Sequence, residues 1–108
     1  MEVEQLQHPF FSIVIPVYNR FELVQDTIKS IFNQTFRNFE IIIVDDGSTD
    51  GSGSKLDDLY SGDDRIKIIH QENKERGASR NTGFLSSKGK YVVFLDSDDM
   101  LLPNHPRA

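Results

Sequence analysis

Two pairs of carboxylates and two arginines carry most of the chemistry available to this chain. Asp96 and Asp98, separated by Ser97, follow directly on the apolar run Tyr91-Val92-Val93-Phe94-Leu95. A strand ending this way delivers two hard oxygen ligands to its C-terminal mouth, where they suit Mg²⁺ or Mn²⁺ and, through the ion, the phosphates of a ligand. Asp45 and Asp46 close a second apolar run. Adjacent carboxylates repel each other and a structural turn needs only one, so Asp46 reads as a binding residue. Arg76 and Arg80 lie four residues apart at the start of a third segment, where guanidinium groups and free helix N–H groups suit a phosphate or a base. The bland alternative is a solvated helix face paired with Glu72 or Glu75. His70 has no second His at metal-ligand spacing and reads as a strand-end surface residue, while His8 and His105 sit in tails.

Four short runs rich in Ile, Val, Phe or Tyr must position these groups: Phe11–Pro16, Phe39–Asp45, Arg65–His70 and Lys90–Leu95. The stretches between them are long enough for helical crossovers, and that rhythm predicts a parallel sheet in an α/β fold. The first crossover, Arg20–Asn33, puts Val24, Ile28, Ile31 and Phe32 on one helical face, with Asn19 as N-cap and Glu22 completing a capping box. The second, around Ser54–Ser61, offers Leu56, Leu59 and Tyr60 to the core after a polar turn-forming loop, Gly47–Gly53. The third runs from about Ala78 to Ser87, with Gly77 before it and Gly89 after it. Right-handed crossovers place every C-terminal strand end along one edge of the sheet. Pro16-Val17-Tyr18-Asn19, Asp45-Asp46-Gly47-Ser48 and Asp96-Ser97-Asp98-Asp99 then converge where open α/β sheets bind ligands. Each has a structural reading alone: Pro16 ends a strand, Tyr18 staples against Leu23, Asp45 caps the next segment.

Composition narrows the classes. At 108 residues with a net charge of −5, the chain is one small domain without the cationic excess of a nucleic-acid surface. It contains no Cys, which removes disulfides, zinc thiolates and thiol nucleophiles. No apolar stretch approaches the ~18 residues of a membrane span, and the Met1–His8 start is polar and acidic. The expected location is the cytoplasm, with the cytoplasmic membrane face as the alternative. No Gly-x-Gly-x-x-Gly follows a strand, and Asp96–Asp99 lacks the Gly and distant Glu of an EF-hand loop.

Four blocks now stand in order at strand ends: Ser12-Ile-Val-Ile-Pro-Val-Tyr-Asn19, Ile42-Ile-Val-Asp-Asp-Gly-Ser-Thr-Asp50, Gly77-Ala-Ser-Arg-Asn-Thr-Gly83 and Tyr91-Val-Val-Phe-Leu-Asp-Ser-Asp-Asp99. Together they resemble the N-terminal half of family 2 glycosyltransferases of the GT-A fold, a three-layer Rossmann-like sheet. The resemblance implies a donor pocket for a nucleotide-diphospho-sugar, a UDP-sugar in first place. In it Pro16, Val17 and Tyr18 line the base, Asp46 accepts a uracil-like imide N–H, Asp45 supports the loop and Arg80 stands near base and diphosphate. Asp96, Ser97 and Asp98 match the DXD motif, with Asp96 and Asp98 toward Mn²⁺ or Mg²⁺. It also implies inverting transfer to the hydroxyl of a saccharide or lipid-linked acceptor.

The catalytic base and acceptor contacts of such enzymes come from a second half, whereas this sequence stops at Ala108. Residues 1–10 therefore read as a tail, 11–103 as the donor-binding half of a domain cut short, and 104–108 as a further tail. Little transfer activity is expected from these residues alone, and an uncovered fourth strand is expected to invite self-association. Two other classes stay open. One is a phosphoacceptor receiver domain, in which Asp45-Asp46 would be the acidic pair and Asp96 the phosphorylated residue two strands later. The other is a non-catalytic nucleotide-sugar binding module.

Overall fold

The computed structural model describes residues 10–34, 38–73 and 76–95. Within them strand and helix alternate: β1 (Phe11–Val17), α1 (Phe21–Phe32), β2 (Phe39–Asp46), α2 (Ser52–Tyr60), β3 (Ile66–Gln71), α3 (Arg76–Ser86) and β4 (Tyr91–Phe94). The strands are all parallel, in the order β3-β2-β1-β4. β1 and β2 are interior, and every residue of β2 is buried. Strands covered on both faces need no polar alternate, which is why Ile13-Val14-Ile15 and Ile41-Ile42-Ile43-Val44 are unbroken apolar runs.

Side-chain alternation divides these runs between two helical layers. Ile13, Ile15, Val17, Ile41 and Ile43 pack with Val24, Ile28 and Ile31 of α1 and Leu56 of α2. Val14, Ile42 and Val44 form a separate cluster on the opposite face, where α3 lies against β1 and β2. That helix comes close because residue 83 is Gly: a Cβ there would collide with the Val14 side chain. At about 1.5–3 kcal/mol per fully buried aliphatic side chain, these two central strands and the inner face of α1 supply most of the hydrophobic stabilisation.

Several local expectations are corrected. α1 begins after Arg20, with no side-chain cap, so Asn19 and Glu22 form no capping box; Asn19 is instead engaged with a distant loop. α2 starts at Ser52 because Asp50 Oδ1 accepts the Ser52 N–H at 2.9 Å and its hydroxyl at 2.6 Å. Ser52, Gly53 and Leu56 form its buried stripe, Tyr60 packs partly against the core, and Leu59 falls off the stripe and is exposed. α3 begins at Arg76, so Gly77 lies in its first turn rather than before it.

Strand order also decides between architectures. In a receiver-type sheet, order 2-1-3-4-5, the strand carrying the acidic pair lies beside the strand carrying the phosphorylated Asp. Here β1 separates β2 from β4, which rules that reading out. The order 3-2-1-4 is that of a Rossmann-like half-sheet, whose switch point falls between β1 and β4. The register pairs β1 with β4 only from Phe11↔Tyr91 to Val14↔Phe94. Pro16, lacking an N–H, lies beyond that pairing.

At the opposite edge, buried Glu40 ties the layers together. Its Oε2 accepts the Ser12 hydroxyl and the Lys88 N–H, both at 2.6 Å, and Gly89 N–H donates to Ser12 Oγ at 2.7 Å. Beyond this tie, β4 is an edge strand of the described sheet. Tyr91 and Phe94 on it, and Phe84 and Leu85 on α3, are exposed.

Candidate functional site

The adjacent carboxylates at the end of β2 do not face each other. With side chains alternating along a strand, Asp45 follows Ile41 and Ile43 toward the α1/α2 layer, and Asp46 follows Ile42 and Val44 toward α3. Both are buried, at 5% and 8% exposure. The register sets Asp45 opposite His70 and Asp46 opposite Gln71, so β3 supplies each carboxylate with its own partner.

On the first face, Asp45 Oδ2 lies 2.8 Å from His70 Nδ1. The other ring nitrogen, Nε2, lies 2.9 and 3.0 Å from the two carboxylate oxygens of Asp57 on α2. The bond to Asp45 is the main cause that raises the His70 pKa above its ordinary value; Asp57 adds to it and partial burial opposes it. Gly53 makes room for this contact, since a Cβ there would strike Asp45 Oδ2 and come within 3.2 Å of the His70 ring. Asp45 Oδ1 meanwhile accepts the Ser48 N–H at 3.1 Å, fixing the loop that follows β2.

That loop is bonded in turn to the one after β1. Asn19 N–H donates to Ser48 Oγ at 3.0 Å, Asn19 Oδ1 accepts the N–H groups of Thr49 at 2.8 Å and Asp50 at 3.2 Å, and Asn19 Nδ2 donates to Thr49 Oγ1 at 3.3 Å. Asn19 does this with φ 55°, a left-handed conformation that Asn tolerates better than most residues. Tyr18, immediately before it, is 44% exposed. Its ring borders an open cavity of about 600 Å³ lined also by Arg20, Phe21, Leu23, Asp50 and Lys55. Pro16 and Val17 stand at the end of β1, Val17 buried in the core.

On the second face, Gln71 Nε2 donates to Asp46 Oδ1 at 3.0 Å and lies 3.3 Å from Ser79 Oγ. An ionised carboxylate cannot donate, so the amide must turn its NH₂ toward Asp46 and its carbonyl toward Thr82, whose hydroxyl donates at 2.7 Å. Asn73 Nδ2 donates to the Asp46 carbonyl at 3.1 Å. Gly47, with φ 74°, leaves space for the Asn73 backbone, which a Cβ would approach to 2.6 Å. Arg80 is exposed, one residue after buried Ser79 on α3. Arg76 opens the same helix, its side chain lying outside the described residues.

Asp96, Ser97 and Asp98 lie outside the described residues as well. Leu95, immediately before them, is held beside β1 by its N–H to the Val14 carbonyl at 2.9 Å. Among the described residues no group of three or more His, Asp or Glu is arranged to hold a metal ion, and no helix is long and apolar enough to cross a membrane.

The structure thus joins the loops after β1 and β2 and adds residues that sequence reasoning passed over. Asn19 reads as a helix cap but bridges loops. His70 and Gln71 were legible through the period of two, which pairs the ends of neighbouring strands once β3 is known to flank β2.

Comparison with known proteins agrees with this geometry. The family model for glycosyl transferase family 2 matches residues 12–107. The glycosyltransferase GlyG of Streptococcus pneumoniae is 43% identical over 86% of this chain and 31% of its own length. A Campylobacter jejuni GalNAc(5)-diNAcBac-PP-undecaprenol beta-1,3-glucosyltransferase is 42% identical over 87% of this chain and 31% of its own. The chain therefore spans about a third of the length of these curated relatives. Among solved structures, S. aureus TarS 1-349 in complex with UDP superposes with a TM-score of 0.75 at 30% identity, over 84% of this chain and 28% of that one. The Pyrobaculum calidifontis mannosyltransferase PcManGT, in complex with GDP-Man and Mn²⁺, shares the fold with a TM-score of 0.77 at 24% identity, over 86% and 28%.

Proposed function

This chain belongs to glycosyl transferase family 2, and from that premise we propose that it forms the donor-binding half of a GT-A glycosyltransferase taking a nucleotide-diphospho-sugar, a UDP-sugar first among them. The observation that carries the reading is Asp46. It is a buried carboxylate at a strand's C-terminal end, oriented by the Gln71 amide while Asn73 holds its backbone carbonyl, on the rim that also presents the exposed ring of Tyr18.

In this reading the imide N–H of uracil donates to Asp46, and Tyr18 packs on the base with Pro16 and Val17 behind it. Asp45 holds the loop through Ser48, and Arg80 meets the diphosphate side. A divalent ion, Mn²⁺ or Mg²⁺, would be held by Asp96 and Asp98 next to Ser97 and would supply charge stabilisation for the diphosphate leaving group. Two hard carboxylate donors following a strand end fit such an ion. Transfer with inversion forms a bond from the acceptor hydroxyl oxygen to the anomeric carbon. The bond to the diphosphate oxygen breaks, its electron pair leaves with the nucleotide, and the hydroxyl proton passes to a carboxylate base of the whole enzyme. That base belongs to the second half of the domain, so residues 11–103 bind donor without completing the reaction.

The acceptor is a saccharide or a lipid-linked saccharide, a reading supported by the undecaprenol-linked substrate in the name of the Campylobacter jejuni relative. Such an acceptor goes with a cytoplasmic enzyme working at the membrane face. The exposed aromatic side chains on β4 support self-association, which concentration-dependent elution in size-exclusion chromatography would reveal.

Calorimetric titration with UDP, UDP-sugars and GDP, with and without Mn²⁺, tests the donor site. UDP binding strengthened by Mn²⁺, and lost in Asp46→Ala, is the expected result. UDP binding unchanged in both Asp46→Ala and Asp98→Ala would overturn it.

A further inference from the structure

The His70 ring faces a carboxylate from each of its nitrogens: Asp45 of β2 at Nδ1, 2.8 Å away, and Asp57 of α2 at Nε2, 2.9 and 3.0 Å away. Neutral imidazole carries one N–H, and ionised carboxylates only accept. Both contacts are hydrogen bonds only if the ring carries two protons, so the geometry calls for imidazolium. Burial opposes the charge only in part, because the ring side chain is 44% exposed. Among the described residues, Asp45 and Asp57 are the charged groups that act on the ring.

What this cation holds in place is more than a helix. Asp45 uses its other oxygen for the Ser48 N–H, and Ser48 Oγ accepts from Asn19 N–H. A continuous hydrogen-bonded path therefore runs from His70 through Asp45 and Ser48 to Asn19, the residue after Tyr18. From the third strand His70 reaches the loops after the first two.

We infer that His70 is a positioning residue for the base-binding loops, acting as an imidazolium latch between Asp45 and Asp57, so that nucleoside affinity depends on pH through this ring. The inference rests on the donor-pocket reading above. When the ring loses its second proton, one nitrogen must face a carboxylate lone pair to lone pair. Asp45 or Asp57 then swings away, and the path to Ser48 and Asn19 slackens. By linkage, a ligand that needs the ordered loops must in turn raise the proton affinity of His70.

The test uses uridine, which has no phosphate to titrate, followed by NMR between pH 5.5 and 8.5 in wild type, His70→Gln and Asp57→Asn. Wild-type affinity is expected to fall by about five-fold or more as the pH rises through the His70 titration. His70→Gln is expected to bind weakly with no such pH dependence. The His70 Cε1–H signal is expected to titrate above 6.5, the ordinary histidine value, lower in Asp57→Asn and higher with uridine bound. This second readout is a property of the wild-type ring and does not depend on whether a variant folds. Uridine binding that is equally tight and flat with pH in wild type and His70→Gln would overturn the latch alone, as would a wild-type ring titrating at or below 6.5. Absence of uridine binding at every pH, with Asp46→Ala indistinguishable from wild type, would overturn the nucleotide reading and the latch with it.

Discussion

Asp45 and Asp46 are neighbours in the chain and both buried, yet they serve opposite faces of the sheet. Asp45 is enclosed by groups that look inward: a ring clamped to α2 and the amide of its own loop. Asp46 receives the Gln71 amide on its carboxylate and the Asn73 amide on its backbone carbonyl, both from the β3 side of the site. Both Asp45 oxygens are tied into the fold, one by the ring and one by the loop amide. In the donor-pocket reading proposed above, Asp45 serves chiefly stability and Asp46 chiefly recognition.

The paired substitutions give the largest expected effects. Asp46→Ala should weaken UDP binding at least about ten-fold, the equivalent of one lost charge-assisted hydrogen bond, with a small change in melting temperature. Asp45→Ala should act chiefly on stability, lowering unfolding free energy by about 1–3 kcal/mol in urea titrations, with UDP binding weakened less than in Asp46→Ala through the slackened loop. Equal losses of stability from both would break the distinction. Gly53→Ala sharpens it from the stability side, because the added methyl meets Asp45 and His70; a cost of about 1–3 kcal/mol is expected from such overpacking. Gln71→Leu sharpens it from the other side: the fold survives, while UDP affinity drops by about 1 kcal/mol as Asp46 loses its orienting amide.

The smallest effect is the pH dependence of stability. A histidine whose pKa is raised in the folded state, first by Asp45, stabilises fully below the unfolded value of 6.5. That contribution disappears as the pH climbs through the folded value. With the ring half-exposed, the loss should be about 0.5 kcal/mol. Urea titrations at pH 6 and 8 measure it, and Asp57→Asn should reduce it while Asp46→Asn leaves it in place.

Most of the fold was legible because interior parallel strands leave unmistakable apolar runs, and each observed strand lies within two residues of its expected ends. What failed was local inference about residues whose partners are remote. Asn19 precedes a helix and so imitates an N-cap, but its contacts are to Thr49 and Asp50, about thirty residues on, and no local pattern encodes them. His70, without a second His at metal-ligand spacing, reads as a strand-end surface residue, whereas its partners are carboxylates brought by β2 and α2. Leu59 fits an apolar count but misses the stripe that Ser52, Gly53 and Leu56 define. The opposite fates of Asp45 and Asp46 were implicit in strand periodicity, whereas their partners depended on knowing that β3 flanks β2. Pro16, Val17, Tyr18 and Arg80 have places on the site's elements, while Asp96, Ser97 and Asp98 lie outside the described residues.

The tie at the far edge has a consequence for the order of folding. Ser12 and Gly89 are 77 residues apart in sequence, and β1, the second strand in the sheet from that side, receives β4 only across the same span. Closing so long a loop costs entropy that nearer pairings avoid, so β1, β2 and α1 can assemble while the place beside β1 is still vacant. Val93→Ala, on the late strand, should accordingly hasten unfolding in stopped-flow experiments and leave the refolding rate nearly unchanged. A ribosome releasing this chain holds β1 with one flank open until the fourth strand emerges.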